Sequence, residues 1–151
     1  MESSRILAQC LELPRDVLEY AGPLARQVVK NCRTDTEKTA TIRDYFQKNH
    51  RYQIGVPFQD CDPLREFLTK KTPAHCEFFA TGMVALLRAE HIPARYMAGF
   101  LVDEYNPRGR YYVVRAMHAH AWVETWLPGH GWVSFDPTPP GALPHQENAI
   151  C

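Results

Sequence analysis

No stretch of this 151-residue chain approaches the ~20 consecutive apolar residues of a membrane-spanning helix. The opening Met1-Glu2-Ser3-Ser4-Arg5-Ile6 has no long apolar run either, so no secretory leader is read in it. A basic excess is also missing. The 17 Lys and Arg balance 17 Asp and Glu, which argues against nucleic acid as a principal partner. None of the five cysteines (Cys10, Cys32, Cys61, Cys76 and Cys151) is spaced CxxC, which removes support for zinc-ribbon and thioredoxin-type readings. There is no DxDxDG calcium loop, no internal repeat and no low-complexity segment. What remains is ordinary: 45% hydrophobic and 23% charged residues, in a length that suits one domain able to build a core without staples. An odd cysteine count leaves at least one thiol free in a monomer, either a small buried hydrophobe or a reactive group.

Patterning divides the chain into a helical front and a strand-rich back. Leu13-Pro14 opens a helical stretch, with Pro14 suited to a first helical position, and Pro23 is expected to interrupt it. Thr34-Asp35-Thr36-Glu37 fits a capping box. The helix after it carries Ile42, Tyr45, Phe46 and Asn49 on one face and should end near His50. Residues 51–60 read as an extended loop, and Asp62-Pro63 opens a short helix through Leu68. From Cys76 to His91 the spacing is helical, with Cys76, Ala80, Met83 and Leu87 on one face, until Pro93 stops it. Ala94–Val102, Arg110–Arg115, His118–Leu127 and Trp132–Phe135 are then rich in aromatic and β-branched residues, with turns at Asn106-Pro107-Arg108-Gly109 and Pro128-Gly129-His130-Gly131. Helices followed by strands predict an α+β fold with an antiparallel sheet.

Cys76 stands at a helix start, where unpaired backbone N–H groups and the positive end of the dipole favour thiolate over thiol. The plain alternative is a capping-region cysteine without a task. A thiolate performing acyl transfer needs a base, and the base needs an orienting partner. In the strand His118-Ala119-His120-Ala121-Trp122-Val123-Glu124, a period of two puts His118, His120, Trp122 and Glu124 on one face. Those histidines could instead hold a metal, joined by Cys76 and His75 if folding gathers them. Asp136, at the end of a strand that a short turn joins to the histidine strand, is the candidate for the orienting acid. Taken alone it reads as a strand-ending residue before proline.

Three blocks in order resemble the transglutaminase-like family of papain-fold proteins. They are His75-Cys76-Glu77-Phe78-Phe79-Ala80, continuing to Ile92-Pro93-Ala94-Arg95; His120-Ala121-Trp122-Val123-Glu124; and Gly131-Trp132 with Phe135-Asp136-Pro137-Thr138-Pro139. The likeness extends upstream through Tyr52, Asp62-Pro63 and Phe67-Leu68. Ala74-His75 departs from it, because the family more often has glycine before the nucleophile, and the departure bears on the oxyanion region. The resemblance implies a papain-like core in which the nucleophile helix packs on an antiparallel sheet. It makes Cys76 the nucleophile, His120 the base and acid, and Asp136 the residue that orients His120. Trp122, His118 and Tyr52 are candidates for substrate contact, although His118 also reads as a partly exposed sheet histidine. Glu124 reads as structural. The second oxyanion donor is left open among Tyr52, Gln53 and Gln59.

The resemblance further implies cysteine-dependent acyl transfer on a protein or peptide amide such as glutamine. The thioester would be released by an amine co-substrate or by water, with no cofactor and no metal. A thiol peptidase or amidase on the same triad, or a non-catalytic protein-binding domain of this fold, are the alternatives. Residues 1–33 are expected as an N-terminal helical extension, 34–140 as the catalytic core and 141–151 as a proline-containing tail. A complete chain of this kind is expected in the cytoplasm, with no membrane contact from this segment. Its flanks at Leu13-Pro14 and around Pro137, Pro139, Pro140 and Pro144 also resemble those of bacterial membrane-anchored transglutaminase-like proteins, which would place it outside the membrane.

Overall fold

Five helices precede and support a small antiparallel sheet. The structure, a computed structural model, describes residues 3–142. The helices are α1 (Ser4–Gln9), α2 (Arg15–Val28), α3 (Asp35–Asn49), α4 (Pro63–Lys70) and α5 (Cys76–Ala89). The strands are β1 (Ala94–Phe100), β2 (Glu104–Asn106), β3 (Tyr111–Val113), β4 (Ala119–Leu127) and β5 (Gly131–Phe135). β1, β4 and β5 form one antiparallel sheet in the order β1-β4-β5, while β2 and β3 pair as a separate hairpin. The fold is α+β, as the segment order implies.

Local chemistry accounts for the helix starts. The Thr34 hydroxyl accepts the Glu37 N–H at 3.1 Å, and the Glu37 carboxylate accepts the N–H groups of Arg33 and Thr34, completing the capping box. Asp62 accepts the Arg65 N–H, and Pro63 occupies the first helical position. α5 differs, because its N-cap His75 makes no side-chain cap bond. Its first-turn N–H groups are therefore not taken up by a capping side chain.

The core forms where α5 lies between the sheet and the other helices. Ile42, Phe46, Phe67, Phe79, Met83, Leu86 and Val123 are fully buried, each contributing roughly 1.5–3 kcal/mol of transfer free energy. Gly82 permits the close approach of α3, since a Cβ there would lie 2.9 Å from the Phe46 ring. Ala21, Ala25 and Val29 of α2 and its C-cap belong to the same apolar cluster.

Several expectations are corrected. Pro23 does not interrupt α2, which runs through it. Proline frees only the carbonyl four residues earlier, that of exposed Glu19, where water can reach it, while Ala21 and Ala25 anchor both halves in the core. α1 was not legible, being six residues long with no buried side chain. Asn49 shares the expected face of α3 but is exposed at its end. β1 stops at Phe100, and β2 is a short strand where none was read. The histidine strand begins at Ala119, so His118 lies in a 3-10 turn and not on the strand face with His120. Of the expected tail 141–151, residues 143–151 lie outside the described residues.

Candidate active site

Three elements converge on Cys76. The cysteine is the first residue of α5 and is half-buried. His120 is the second residue of β4, opposite Gly99 of β1. Asp136 directly follows β5, whose Phe135 pairs with Val123 of β4. That register sets Asp136 beside the histidine strand, and its Oδ2 lies 2.7 Å from His120 Nε2. Nδ1 is left to face Cys76, whose sulfur hydrogen-bonds the His120 side chain and also accepts the Ala121 backbone N–H.

The aspartate is itself held. Its Oδ1 accepts the Thr138 N–H at 2.9 Å, and its backbone carbonyl accepts a hydrogen bond from Gln47 Nε2 of α3, also at 2.9 Å. On the other flank, the Trp122 ring lies near-parallel to the imidazole, with centroids 6.3 Å apart.

This environment favours the charged pair. Burial alone would raise the Cys76 thiol, but the His120 hydrogen bond, the Ala121 N–H and the imidazolium charge outweigh it and hold the thiol below its usual range. Burial would lower His120, yet the hydrogen bonds to Asp136 and Cys76 and the charges of both raise it to about 9. Thiolate and imidazolium thus stabilise each other.

The sulfur faces a cleft of about 570 Å³. Its walls are mainly apolar or small, including Ile54, Tyr96 and Phe100, with Ala98, Gly99 and Ala121 as the small residues. Among the described residues, Glu77 is the one carboxylate that lines it, and neither Lys nor Arg does. Glu77 meets the N-cap His75 at 3.2 Å on the rim.

Tyr52 lines this cleft. Gln53 and Gln59, the other upstream candidates, do not; both are exposed, and the Gln59 backbone N–H is bound to Glu66. Trp122 lines a separate hollow of about 360 Å³ that reaches His120, Ser134 and Asp136. His118 lines neither space. It is buried, its Nδ1 accepts the Arg115 N–H at 3.0 Å, and its Nε2 lies 4.0 Å from Glu104 at the base of the β2–β3 hairpin. The period-two argument failed there because the backbone turns before β4 begins. Glu124 sits opposite Arg95 in the β1–β4 register and pairs with it at 2.6 Å.

Gln47 and the Ala121 N–H carried no usable sequence signal, because a surface-type glutamine and a backbone amide acquire meaning only through what folding sets against them. Among the described residues, no group of three or more His, Cys, Asp or Glu is arranged to hold a metal ion. Cys10, Cys32, Cys61 and Cys76 are free thiols.

A profile of the transglutaminase-like superfamily matches residues 22–137. Protein-glutamine gamma-glutamyltransferase of Pseudomonas aeruginosa is 36% identical over 133 residues, covering 85% of this chain and 19% of that protein. YebA of Bacillus subtilis is 32% identical over 136 residues, covering 85% of this chain and 18% of its own length. The crystal structure of the periplasmic domain of TgpA from Pseudomonas aeruginosa superposes with a TM-score of 0.81 at 33% identity, covering 89% of this chain and 47% of that one. The chain thus spans less than a fifth of these curated relatives.

Proposed function

The chain belongs to the transglutaminase-like superfamily, and we propose that it catalyses cysteine-dependent acyl transfer on protein or peptide amides. The observation that carries this reading is the 2.7 Å contact between His120 and Asp136, with the half-buried Cys76 sulfur bonded to the same imidazole at the floor of an open cleft.

The Cys76 thiolate attacks the carbonyl carbon of a glutamine side-chain amide. A C–S bond forms and the carbonyl electron pair moves onto oxygen. The Cys76 backbone N–H is the first donor to that oxyanion. As the intermediate collapses, the C–N bond breaks and His120 gives its proton to the departing ammonia. Asp136 keeps the ring aligned and stabilises the imidazolium during the cycle. An amine, such as a lysine side chain, then attacks the thioester and gives a proton to His120, and the sulfur leaves as thiolate.

Water can take the place of the amine. The rim residue Ile54 is 75% exposed and Phe100 53% exposed, so the thioester is not shielded from solvent and hydrolysis accompanies transfer. This exposure is the specific support for the amidase or peptidase alternative. A purely binding role fits less well, since such a role requires none of the three residues to be set against one another.

By its likeness to a periplasmic domain we place the domain outside the cytoplasmic membrane, as part of a membrane-anchored protein. No helix among the described residues is long and apolar enough to cross a membrane.

The test is incubation with a glutamine-containing peptide and a tagged primary amine, read by mass spectrometry. The expected products are the amine adduct and the deamidated peptide, both absent with Cys76→Ala. Backbone cleavage without either would replace transfer by peptidase action, and turnover by Cys76→Ala would remove the mechanism.

A further inference from the structure

Resting on the acyl-transfer reading, we propose that the β2–β3 hairpin is a docking arm for the protein that presents the reactive amide, an acidic polypeptide with an apolar segment beside its glutamine. Eleven large apolar residues are exposed among the described residues. Three of them, Ile54, Tyr96 and Phe100, line the cleft. Six more, Val102, Tyr105, Tyr111, Tyr112, Val114 and Met117, lie on the hairpin and its flanks. A soluble surface rarely gathers exposed apolar side chains in one region without a partner to cover them.

The two regions are continuous. Phe100 pairs with Ala119 in the β1–β4 register, and both residues line the cleft. The hairpin is the excursion between them, so a polypeptide seated at the cleft meets it next. β2 and β3 pair only with each other among the described residues, and a two-stranded hairpin is marginal by itself. None of the six apolar residues belongs to the core cluster, so they are not retained for core packing.

The arm is held at both ends. At its base the Arg115 guanidinium donates two hydrogen bonds to Glu104, each 2.9 Å, and the Leu101 N–H donates to the His118 carbonyl at 2.9 Å. At its turn Asn106 Oδ1 accepts the N–H groups of Arg108 and Gly109, both at 3.0 Å. Tyr105 and Tyr112 stand directly opposite each other, rings 5.0 Å apart, and form an aromatic platform on one face. A hollow of about 520 Å³ lies beside the turn, with Tyr105, Tyr111 and Arg108 among its walls. Anchors already fixed in place lose little freedom when a partner binds.

The chemistry of the partner follows from these side chains. Tyr, Met and Arg are the types enriched where proteins meet, and Lys is depleted there; residues 101–118 contain no Lys. An anionic membrane surface draws Lys and Arg together in clusters, so the composition favours a protein. Arg115 is engaged by Glu104, while Arg108 and Arg110 are exposed at the turn and carry positive charge outward. Complementarity then selects acidic residues in the docked chain.

The experiment uses dimethylcasein, an acidic and apolar polypeptide whose own amines are blocked, against a short glutamine peptide, with one tagged amine as acceptor. Two double variants are compared with wild type: Tyr105→Ser with Tyr112→Ser, and Arg108→Glu with Arg110→Glu, which leaves the rings in place. Both should raise KM for dimethylcasein about tenfold, with kcat, the peptide kcat/KM and iodoacetamide alkylation within about twofold. Binding of fluorescent dimethylcasein to the Cys76→Ala protein needs no turnover and should weaken about tenfold with the same substitutions. Unchanged casein binding in both variants overturns the proposal. Equal loss for casein and peptide overturns it too, because the hairpin would then act on the cleft. Dimerisation, or binding to phosphatidylglycerol vesicles, that the variants abolish while casein binding stands also overturns it, and assigns the arm to a second copy or to a membrane. Casein held through the hairpin with no amine transfer to any substrate supports the arm and removes the acyl-transfer reading alone.

Discussion

Gln47, in the last turn of α3, donates its side-chain amide to the backbone carbonyl of Asp136 at 2.9 Å, across 89 positions of sequence. The same amide lies 3.4 Å from the Thr138 carbonyl. It ties the turn after β5 to the helical layer, and through that turn it sets the carboxylate against His120. Gln47 is a positioning residue: it touches the backbone that aims Asp136. Gln47→Leu should lower kcat about tenfold, leave KM for a glutamine peptide within about twofold, and move the alkaline limb of the pH–rate profile downward as the Asp136–His120 contact loosens. A purely structural role would lower the melting temperature without moving that limb.

The titration of the pair predicts a wide active range. With Cys76 held below the usual thiol range and His120 raised to about 9, kcat/KM should rise on the acid side as the thiolate forms and fall near pH 9 as His120 loses its proton. Asp136→Asn should shift that fall toward the ordinary histidine range and reduce kcat by about 10²–10⁴-fold through a misaligned ring. Iodoacetamide alkylation across pH 4–10 reads the thiolate directly, and a profile identical in Asp136→Asn would sever the aspartate from the site. Linkage gives the same pair a stability signature. A histidine raised in the folded state stabilises fully below the unfolded value near 6.5, and that contribution is lost as pH climbs through about 9.

His50 gives the opposite sign at the other end of the scale. It is buried against Phe46, Phe67 and Phe79, and both ring nitrogens lack hydrogen-bond partners. Burial, with a smaller effect from the Lys71 charge, lowers it to about 4. The unfolded chain binds this proton between about pH 6.5 and 4, so stability should fall by about 3 kcal/mol as pH drops through that window and level off below it. His50→Phe should flatten this acid limb and raise the melting temperature at pH 5, since an aromatic ring replaces a desolvated imidazole in an aromatic cluster. Chemical denaturation at pH 7 and pH 5 measures both effects, and an unchanged pH dependence would exonerate His50.

Gly99 stands opposite His120 in the β1–β4 register, and a Cβ there would lie 2.8 Å from the Trp122 ring. Gly99→Ala should push Trp122 off its near-parallel seat beside the imidazole, costing about 1–3 kcal/mol of stability and slowing turnover several-fold. Gly82→Ala meets Phe46 at a similar 2.9 Å, but Gly82 lines neither the cleft nor the Trp122 hollow. It should destabilise comparably while leaving the iodoacetamide profile intact. Paired melting and alkylation measurements separate the two, and a profile altered equally in both would remove the special role of Trp122.

What could be read without coordinates follows physical range. The capping box at Thr34 and Glu37, the cap at Asp62-Pro63 and the start of α5 at Cys76 all formed where expected, because each depends on residues within one turn. Pro23 misled because the cost of proline inside a helix, about 3 kcal/mol, is offset by the whole apolar face of α2 and its C-cap, Val17, Tyr20, Ala21, Leu24, Ala25, Val28 and Val29, packing into the core, and burial is not a local property. The face shared by His118 and His120 dissolved for the same kind of reason. A period of two holds only while the chain stays extended, and the backbone is in a 3-10 turn at Ala116–His118.

The amino-acid sequence alone determined the class of this protein, the chain order of its three chemical blocks, and a cysteine at a helix start, because these depend on residue types and on local hydrogen bonding. Only the tertiary structure decided that Gln47 would hold Asp136, that Ala121 would lend its N–H to the sulfur, that Tyr52 would lie beside the nucleophile, and that His118 would turn away. Those outcomes rest on strand register and on helix docking, where contacts between distant residues compete for the same buried space.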